Sequence, residues 1–439
     1  MLRKSLKPLL IGSLAFSSQL MAADLSYYEQ KLGEILFQDL NLSINRNQSC
    51  ESCHALERIE VPTRTENGDR FKLRKQPSAS FIDTENLLNG DPISNGSLPR
   101  AFGSINTPSA GYTAFSPDFH WDGELFIGGQ FRNGRAANLV EQAKGPFLNP
   151  VEMAMPNEWS VIKRLQEYGE YKRLFRKAYG IEINNLKETD TAAVSNAFES
   201  MAKAISSFEK TPKFNRFDSK FDYEAAGITP YNDSEQRGAD LFDGDAMCGE
   251  CHSTEGFNGD GSPAMMTDFS YDNLGVPHNP FIPGNPAADL GLLGNPNLMA
   301  ARGEETPLED VQGRQKVMSL RNIEQTAPYM HNGVFKTLEE VVHFYNTRDV
   351  LAECKDPSDI TNPGLGKTCW PKSPFDATKN VDELGDLKLS EQDEADIVAY
   401  LKTFSDNYPK WGNELGLSDN NVPKGTPSPF PSFQNVNNR

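Results

Sequence analysis

The pattern Cys-x-x-Cys-His occurs twice in this chain, at residues 50–54 (CESCH) and 248–252 (CGECH). Two thiols at this spacing can add to the two vinyl groups of one porphyrin, and the adjacent imidazole is then held beneath the ring, where it can bind the iron. We therefore predict two covalently bound haem c groups. Their attachment residues are Cys50, Cys53 and His54 for haem 1, and Cys248, Cys251 and His252 for haem 2.

Two other uses of closely spaced cysteines fit the sequence less well. A structural zinc ion needs four ligands, and the neighbourhood of each pattern offers no further cysteine or histidine. A redox-active thiol pair of the thioredoxin type belongs in a βαβ unit, and the chain shows no such alternation.

The segments that precede the two patterns are similar to each other. QKLGEILF at residues 30–37 and EQRGADLF at residues 235–242 both contain Gly-x-x-Leu-Phe on a stretch with helical character. We interpret this as one helical module used twice.

Hydrophobic periodicity predicts helices at residues 158–180, 191–211 and 389–404, with little strand alternation. We expect a mainly α fold with two cytochrome c-like helical domains, each carrying one covalent haem c, packed across a shared interface. The predicted divisions are a signal peptide at 1–23, an N-terminal haem domain at 24–212, a C-terminal haem domain at 213–408 and a Pro/Asn-rich extended tail at 409–439.

The first residues, MLRKSLKPLLIGSLAFSSQLMAAD, combine a positive start, a short apolar run and small residues, as in a secretory signal peptide. The alternative, a membrane anchor, is disfavoured because the apolar run is short and interrupted. We predict export to the periplasm, with no membrane span after signal removal. Cleavage would change the formal net charge from −18 to −21, which disfavours nucleic acid as a partner and is compatible with a basic or polar protein.

Cys354 and Cys369, the two cysteines outside the haem patterns, are fifteen positions apart. In an oxidising compartment they would most simply form a disulfide, and closing such a loop stabilises a fold by roughly 3 kcal/mol. Two free thiols are the alternative.

Several further motifs occur in the order found in one family. They are INTPS (105–109), NGRAANLVEQAKGPFLNPVEM (133–153), SLRNIEQTAPYMHNGVFKTLEEVVHFYN (319–346) and IVAYLKTF (397–404). With the two haem patterns, they make the chain resemble the bacterial dihaem cytochrome c peroxidase/MauG superfamily over residues 26–405. The resemblance implies that haem 1 is the reactive group and that hydrogen peroxide is its substrate.

The resemblance also implies residues beside haem 1. Glu152, in NPVEM, would lie over the open face of the iron, where one carboxyl can take a proton from peroxide and return it to the leaving oxygen. Pro146 would line the same pocket. The loop at 55–75 contains no histidine that could close this iron, which favours the MauG-like branch.

The resemblance also implies the second ligand of the haem 2 iron. Family members carry either Met or Tyr at the position fourteen residues after His331. Here it is Tyr345, and a phenolate favours higher oxidation states of iron than a thioether does. Met330, His331 and His343 are the rival ligands. We expect His331 to lie in the inter-haem region, and periodicity alone would also allow Tyr345 to be a core residue.

Two further expectations come from the family. A calcium ion between the haems would be held by the side chain of Asn106 and the backbone oxygens of Thr326 and Pro328. The family also places a Trp between the haems, whereas the aligned segment FRNGR has Arg132 there and Trp121 comes earlier. Either Trp121 carries charge between the haems in place of that Trp, or charge passes between the haems by a different route.

Together these features predict a periplasmic dihaem peroxidase-type oxidoreductase that reacts with hydrogen peroxide at haem 1. Through haem 2 it would oxidise a redox partner protein, either a c-type cytochrome or a protein substrate oxidised at Trp or Tyr. The alternatives are an ordinary cytochrome c peroxidase, which reduces peroxide with electrons from a small cytochrome, and a non-catalytic dihaem electron carrier.

Overall fold

The computed structural model of the protein describes residues 11–56, 60–64, 71–75, 83, 90–257, 261–284, 286–302, 307–355, 364–411 and 421–438. Residues 1–10 of the predicted signal peptide, and residues 57–59 and 65–70 of the loop at 55–75, lie outside this range. Within the described part, no helix is both long enough and apolar enough to cross a membrane.

The fold is mainly helical, as the periodicity predicts. The N-terminal half contains the helices α1 (Ile11–Gln38), α2 (Cys50–Cys53), α3 (Leu139–Leu148), α4 (Glu158–Leu165), α5 (Gly169–Tyr179) and α6 (Thr191–Glu209). The C-terminal half contains α7 (Lys220–Ala225), α8 (Asp233–Phe242), α9 (Cys248–Cys251), α10 (Leu298–Arg302), α11 (Leu338–Thr347), α12 (Glu391–Lys402) and α13 (Tyr408–Trp411).

The described strands form four two-stranded pairs. The antiparallel pairs are β1 (Glu60–Arg64) with β2 (Phe71–Lys75), β3 (His120–Trp121) with β4 (Phe126–Ile127), and β5 (Tyr271–Asp272) with β6 (Gln315–Lys316). The parallel pair is β7 (Ala352–Glu353) with β8 (Cys369–Trp370).

Two separate hydrophobic cores organise the helices. The first joins buried residues between Leu32 and Phe214, and the second joins buried residues between Phe221 and Phe404. The predicted boundary between residues 212 and 213 falls close to the gap between these cores.

The repeated Gly-x-x-Leu-Phe segment has the same packing in both halves. α1 crosses α6 at Gly33, where an added Cβ would lie 2.0 Å from the Ala204 carbonyl oxygen. α8 crosses α12 at Gly238, where an added Cβ would lie 2.0 Å from the Asp396 carbonyl oxygen. Both glycines therefore allow two helix backbones to approach each other, which explains why the module repeats in the sequence.

Residues 158–180 form two helices rather than the single one predicted. α4 ends at Leu165, and Tyr168 is in an extended conformation before α5 begins at Gly169. At the break, Gln166 Nε2 donates to the Ile183 carbonyl at 2.6 Å and to the Leu186 carbonyl at 3.1 Å. The hydrophobic period continues across the break because α4 and α5 both pack on the same core.

The segment after α13 packs on the body of the protein. Asn437 Nδ2 donates to the Ser207 carbonyl at 2.8 Å, and Val436 N donates to the Lys210 carbonyl at 2.9 Å. The Tyr223 hydroxyl donates to the Thr426 carbonyl at 3.0 Å. The predicted tail thus covers the end of α6 and the start of the C-terminal half.

Candidate functional site

The first Cys-x-x-Cys-His pattern forms one helical turn, α2, followed directly by its histidine. The amide of His54 donates to the Cys50 carbonyl at 2.8 Å, which closes the turn. Because Cys50 and Cys53 are three residues apart on a helix, their side chains share a face. Burial raises the pKa of both thiols above the ordinary cysteine value.

The second pattern has the same geometry. The amide of His252 donates to the Cys248 carbonyl at 2.9 Å at the end of α9. The Nδ1 atom of His252 lies 2.9 Å from the Met266 carbonyl, and burial lowers the pKa of this imidazole. A neutral ring whose Nδ1–H donates to a carbonyl presents Nε2 as the nitrogen for a metal.

Each pattern lines its own cavity. One cavity of about 290 Å³ is bordered by Cys50, Cys53 and His54, and a second of about 270 Å³ is bordered by Cys248, Cys251 and His252. Two thiols and an imidazole at the edge of a mainly apolar cavity are the donor set that a covalently attached haem requires. The residues present therefore fit one haem c in each cavity.

Two short segments separate the cavities. Residues 104–109 and residues 316–319 line both cavities, and we call these two segments the shared wall. Arg132, Asp289 and Arg321 also border both cavities. A group bound in either cavity would therefore border this shared wall.

Glu152 and Pro146 both line the haem 1 cavity. Asn149 Nδ2 donates to Glu152 Oε1 at 2.7 Å, and the Met153 amide donates to the Pro146 carbonyl at 3.1 Å. Burial raises the pKa of Glu152, although the positive charge of Arg135 and the bond from Asn149 oppose the shift. The carboxyl group is thus held at the cavity with a proton affinity above that of an exposed glutamate.

Tyr345 lies on α11 and lines the haem 2 cavity with Cys248, Cys251 and His252. Its hydroxyl makes no hydrogen bond within the described part of the chain. Burial is the largest influence on the phenol and raises its pKa. A phenolate here would therefore need a positive charge close by, which a ferric iron supplies when bound.

The rival ligands differ in position. His343 does not border the described cavities, and both of its ring nitrogens have partners: Nδ1 lies 2.9 Å from Glu394 Oε1 and Nε2 lies 2.6 Å from the Gly366 carbonyl. Met330 and His331 do line the haem 2 cavity, and the His331 carbonyl accepts from the Asn106 amide at 2.8 Å. Burial, then the charge of Arg132, lower the pKa of His331, so this imidazole is neutral.

The three residues expected to hold calcium line the haem 2 cavity. However, Arg132 Nε donates to the Asn106 backbone carbonyl at 3.1 Å, and Arg132 Nη2 donates to Asn106 Oδ1 at 3.3 Å. The guanidinium thus contacts the side-chain oxygen that calcium would use, and its positive charge would repel the ion.

Trp121 and Arg132, the two residues considered for the position between the haems, differ in their distance from the cavities: only Arg132 borders them. Trp121 lies outside both described cavities, where the Arg302 guanidinium is 4.1 Å from its ring centroid. Arg132 borders both cavities, and burial lowers its pKa to about 10, against the opposing charge of Asp289. The inter-haem position thus holds an arginine in this chain.

Sequence reasoning missed one cation of the shared wall. Lys316 is buried, its ammonium group donates to Ser116 Oγ and to the Gly129 carbonyl, and burial lowers its pKa to about 7. Its amide also donates to the Arg132 carbonyl at 2.7 Å. No motif signals this residue, because its two partners lie 200 and 187 positions away.

Cys354, which directly follows β7, is joined in a disulfide to Cys369, the first residue of β8. The bond lies beside Trp370, whose ring packs against Phe335 and Phe344 in the second core. It therefore braces the part of the C-terminal half that carries α11 and Tyr345.

Comparison with known proteins relates the chain to dihaem enzymes. The profile of the family described as "Di-haem cytochrome c peroxidase" matches residues 28–229. The methylamine utilization protein MauG of Paracoccus denitrificans is 33% identical, over 85% of this chain and 88% of that protein. The cytochrome c peroxidase Ccp of Escherichia coli is 30% identical, over 71% of this chain and 51% of that protein.

Solved structures give the same relationship. The diheme peroxidase BthA of Burkholderia thailandensis aligns with a TM-score of 0.68 and 25% identity, covering 91% of this chain and 89% of that one. A MauG-like protein associated with microbial copper homeostasis aligns with a TM-score of 0.58 and 26% identity, covering 87% and 90%.

Proposed function

We propose that this chain, which belongs to the di-haem cytochrome c peroxidase/MauG family and is a peroxidase-type oxidoreductase, reacts with hydrogen peroxide at haem 1 and oxidises a protein partner through haem 2. The observation that carries the proposal is the position of Glu152 in the cavity bordered by His54. We place the enzyme in the periplasm, in agreement with the signal-like first 23 residues.

Haem 1, when bound, supplies the iron that takes up peroxide, and haem 2 supplies a second redox centre. Glu152 moves the proton. Asn149 holds Oε1 of this carboxyl, so we assign proton transfer to Oε2, which accepts a proton from peroxide and returns it to the leaving oxygen. Pro146 contributes an apolar surface that limits water at the cavity.

Tyr345 is the residue that we assign to the distal side of haem 2. Its location in the cavity and its unpartnered hydroxyl support this role, and the engagement of both nitrogens of His343 removes one rival. An anionic oxygen ligand stabilises oxidised iron, so Tyr345 would favour retention of an oxidising equivalent at the group bound in this cavity. The partner need not enter either cavity, since electrons can pass from its Trp or Tyr side chains at a distance.

Peroxide addition to the purified dihaem protein, followed by rapid-mixing absorption spectroscopy, tests this proposal. We expect a fast change in the haem bands, and we expect Glu152→Gln to slow it by about 10²- to 10⁴-fold, the usual contribution of a positioned acid-base group. Glu188→Gln is the matched control, because Glu188 is exposed and outside both cavities, and it should react at the wild-type rate.

The fate of the oxidised protein separates the alternatives. A long-lived oxidised state that a specific protein partner consumes supports the MauG-like activity, whereas rapid oxidation of a reduced small cytochrome c supports an ordinary peroxidase. Haem bands that do not respond to peroxide, together with the absence of a high-spin ferric signal, would instead identify an electron carrier.

A further inference from the structure

Tyr112 is a buried phenol at the edge of the haem 1 cavity. Its side chain is 3% exposed and lines the same cavity as Cys50, Cys53 and His54. Tyr112 has no role in the reaction with peroxide proposed above. Its hydroxyl donates to the carboxylate of Asp406, at 2.8 Å from Oδ1 and 2.9 Å from Oδ2, and accepts from the Phe217 amide at 2.9 Å.

Asp406 is fixed in an orientation that faces this phenol. It is 1% exposed, its Oδ2 accepts from Asn322 Nδ2 at 2.7 Å, and its amide donates to Asn322 Oδ1 at 2.9 Å. The charged groups that act on it are Asp218, Arg321, Asp222 and Arg216. Burial is the largest influence and raises the pKa of Asp406, so this carboxylate is a better proton acceptor than an exposed aspartate.

Apolar and cationic groups surround the pair. The Phe217 ring packs edge-on against Tyr112 with 4.9 Å between centroids, and Met265 completes the same buried cluster. The Arg321 guanidinium lies 4.8 Å from the centre of the Tyr112 ring and is neutralised by a two-bond contact with Asp222 at 2.9 and 3.0 Å. The phenol is therefore shielded from water and held against a base.

We propose that Tyr112 is a redox-active residue, oxidised by one electron at haem 1 while its phenolic proton passes to Asp406. This inference rests on the proposed function, which supplies the oxidising equivalent. The O–H bond of Tyr112 breaks, an O–H bond forms on Asp406, and the electron reduces the oxidised haem 1 centre by one equivalent. The product is a neutral tyrosyl radical beside a protonated carboxyl.

The hydrogen bond is what makes this oxidation accessible. Loss of an electron turns a phenol into a much stronger acid, so a base already in contact lets the proton leave with the electron. Without that base, a positive charge would be created in a buried site, which is costly. Tyr112 would thus store an oxidising equivalent on the haem 1 side, in addition to haem 2.

Tyr171 provides a matched comparison within the chain. Its hydroxyl also donates to a carboxylate, Asp39 Oδ2, at 2.7 Å, and its side chain is 2% exposed. However, Tyr171 does not line either described cavity. If a buried phenol bonded to a carboxylate were sufficient, both tyrosines would be oxidised, whereas our proposal requires Tyr112 alone.

The test is freeze-quench EPR of the dihaem protein after hydrogen peroxide, with ring-deuterated tyrosine and parallel absorption spectra. We expect a radical signal that narrows on deuteration, disappears in Tyr112→Phe and persists in Tyr171→Phe. We expect Asp406→Asn to slow radical formation by about 100-fold, the low end of what a positioned proton acceptor contributes. Unchanged resting haem spectra in each variant establish that the fold is intact.

Each outcome decides between the two proposals. Haem bands that respond to peroxide with no deuterium-sensitive radical, or with a radical that survives Tyr112→Phe, overturn this inference alone. Haem bands that do not respond overturn the proposed function and this inference together. Should Tyr112→Phe fail to fold, Asp406→Asn and the isotope effect in the wild-type protein still decide.

Discussion

Asn149 Nδ2 donates a 2.7 Å hydrogen bond to Glu152 Oε1, and both residues line the haem 1 cavity. The bond stabilises the ionised carboxylate and lowers its pKa, whereas burial raises it, and burial is the larger influence. The net pKa of Glu152 therefore lies above the ordinary glutamate value, and the base is lost as pH falls through that raised value.

Asn149→Ala should move the acidic limb of the peroxide reaction to higher pH. The variant keeps the burial that raises the pKa of Glu152 but loses the bond that opposes it. A hydrogen bond to a charged group contributes about 1.5 kcal/mol or more, which corresponds to roughly one pH unit. The pH dependence of the rate constant for the haem absorption change measures this shift.

The control for that series is Asn184→Ala, an exposed asparagine outside both described cavities. Its acidic limb should coincide with that of the wild type. A limb that stays in place in Asn149→Ala would show that Glu152 is not the titrating group.

Tyr345→Met should raise the reduction potential of one haem by an amount on the order of 100 mV, because a thioether favours reduced iron more than a phenolate does. Spectroelectrochemical titration of both haems measures the change. His343→Gln is the comparison, since His343 lies outside the cavity with both nitrogens engaged. A shift in His343→Gln with none in Tyr345→Met would reverse the ligand assignment.

Arg132 should make the protein bind calcium weakly. Each of the two positive charges of the ion, at about 4 Å from the guanidinium, is repelled by about 4 kcal/mol at an effective dielectric constant near 20. Removing the guanidinium in Arg132→Gln should therefore tighten calcium binding at Asn106 by about 100-fold or more. Titration calorimetry of the chelator-treated dihaem protein measures both affinities, and a tightly bound calcium ion in the wild type would contradict this expectation.

Gly33→Ala and Gly238→Ala should each destabilise the protein by about 3 kcal/mol or more, the upper end of the usual cost of overpacking. In each case the new Cβ would lie 2.0 Å from a backbone carbonyl oxygen, which cannot move without displacing a helix. Gly169→Ala is the control, because a Cβ there meets no atom within 4 Å. Thermal unfolding should give a lower melting temperature for Gly33→Ala and Gly238→Ala than for Gly169→Ala.

Local sequence patterns predict those structural features that depend on residues close together in the chain. The two haem patterns, the repeated Gly-x-x-Leu-Phe segment and the mainly helical fold all depend on residues within one or two helical turns, and the fold class is confirmed. Thr337 and Glu340, three residues apart, likewise form a capping box at the start of α11. The single helix predicted at 158–180 was wrong, because periodicity reports which face is buried and does not show where the chain changes direction.

Contacts between distant segments could not be predicted in this way. Tyr112 and Asp406 are 294 positions apart, and neither belongs to a motif. The sequence singles out Arg132 only because it stands where the family has a Trp. Its hydrogen bonds to Asn106 depend on the contact between two loops, which no local pattern predicts. Buried polar groups need hydrogen-bond partners, and which groups are buried depends on the fold of the whole chain.

The shared wall has a consequence for any effort to alter one metal centre. Since residues 104–109 and 316–319 face both porphyrin sites, a substitution in either segment changes the surroundings of two irons at once. The two centres cannot be tuned separately through these positions. Independent adjustment has to start from side chains that face one site only, Glu152 on one side and Tyr345 on the other.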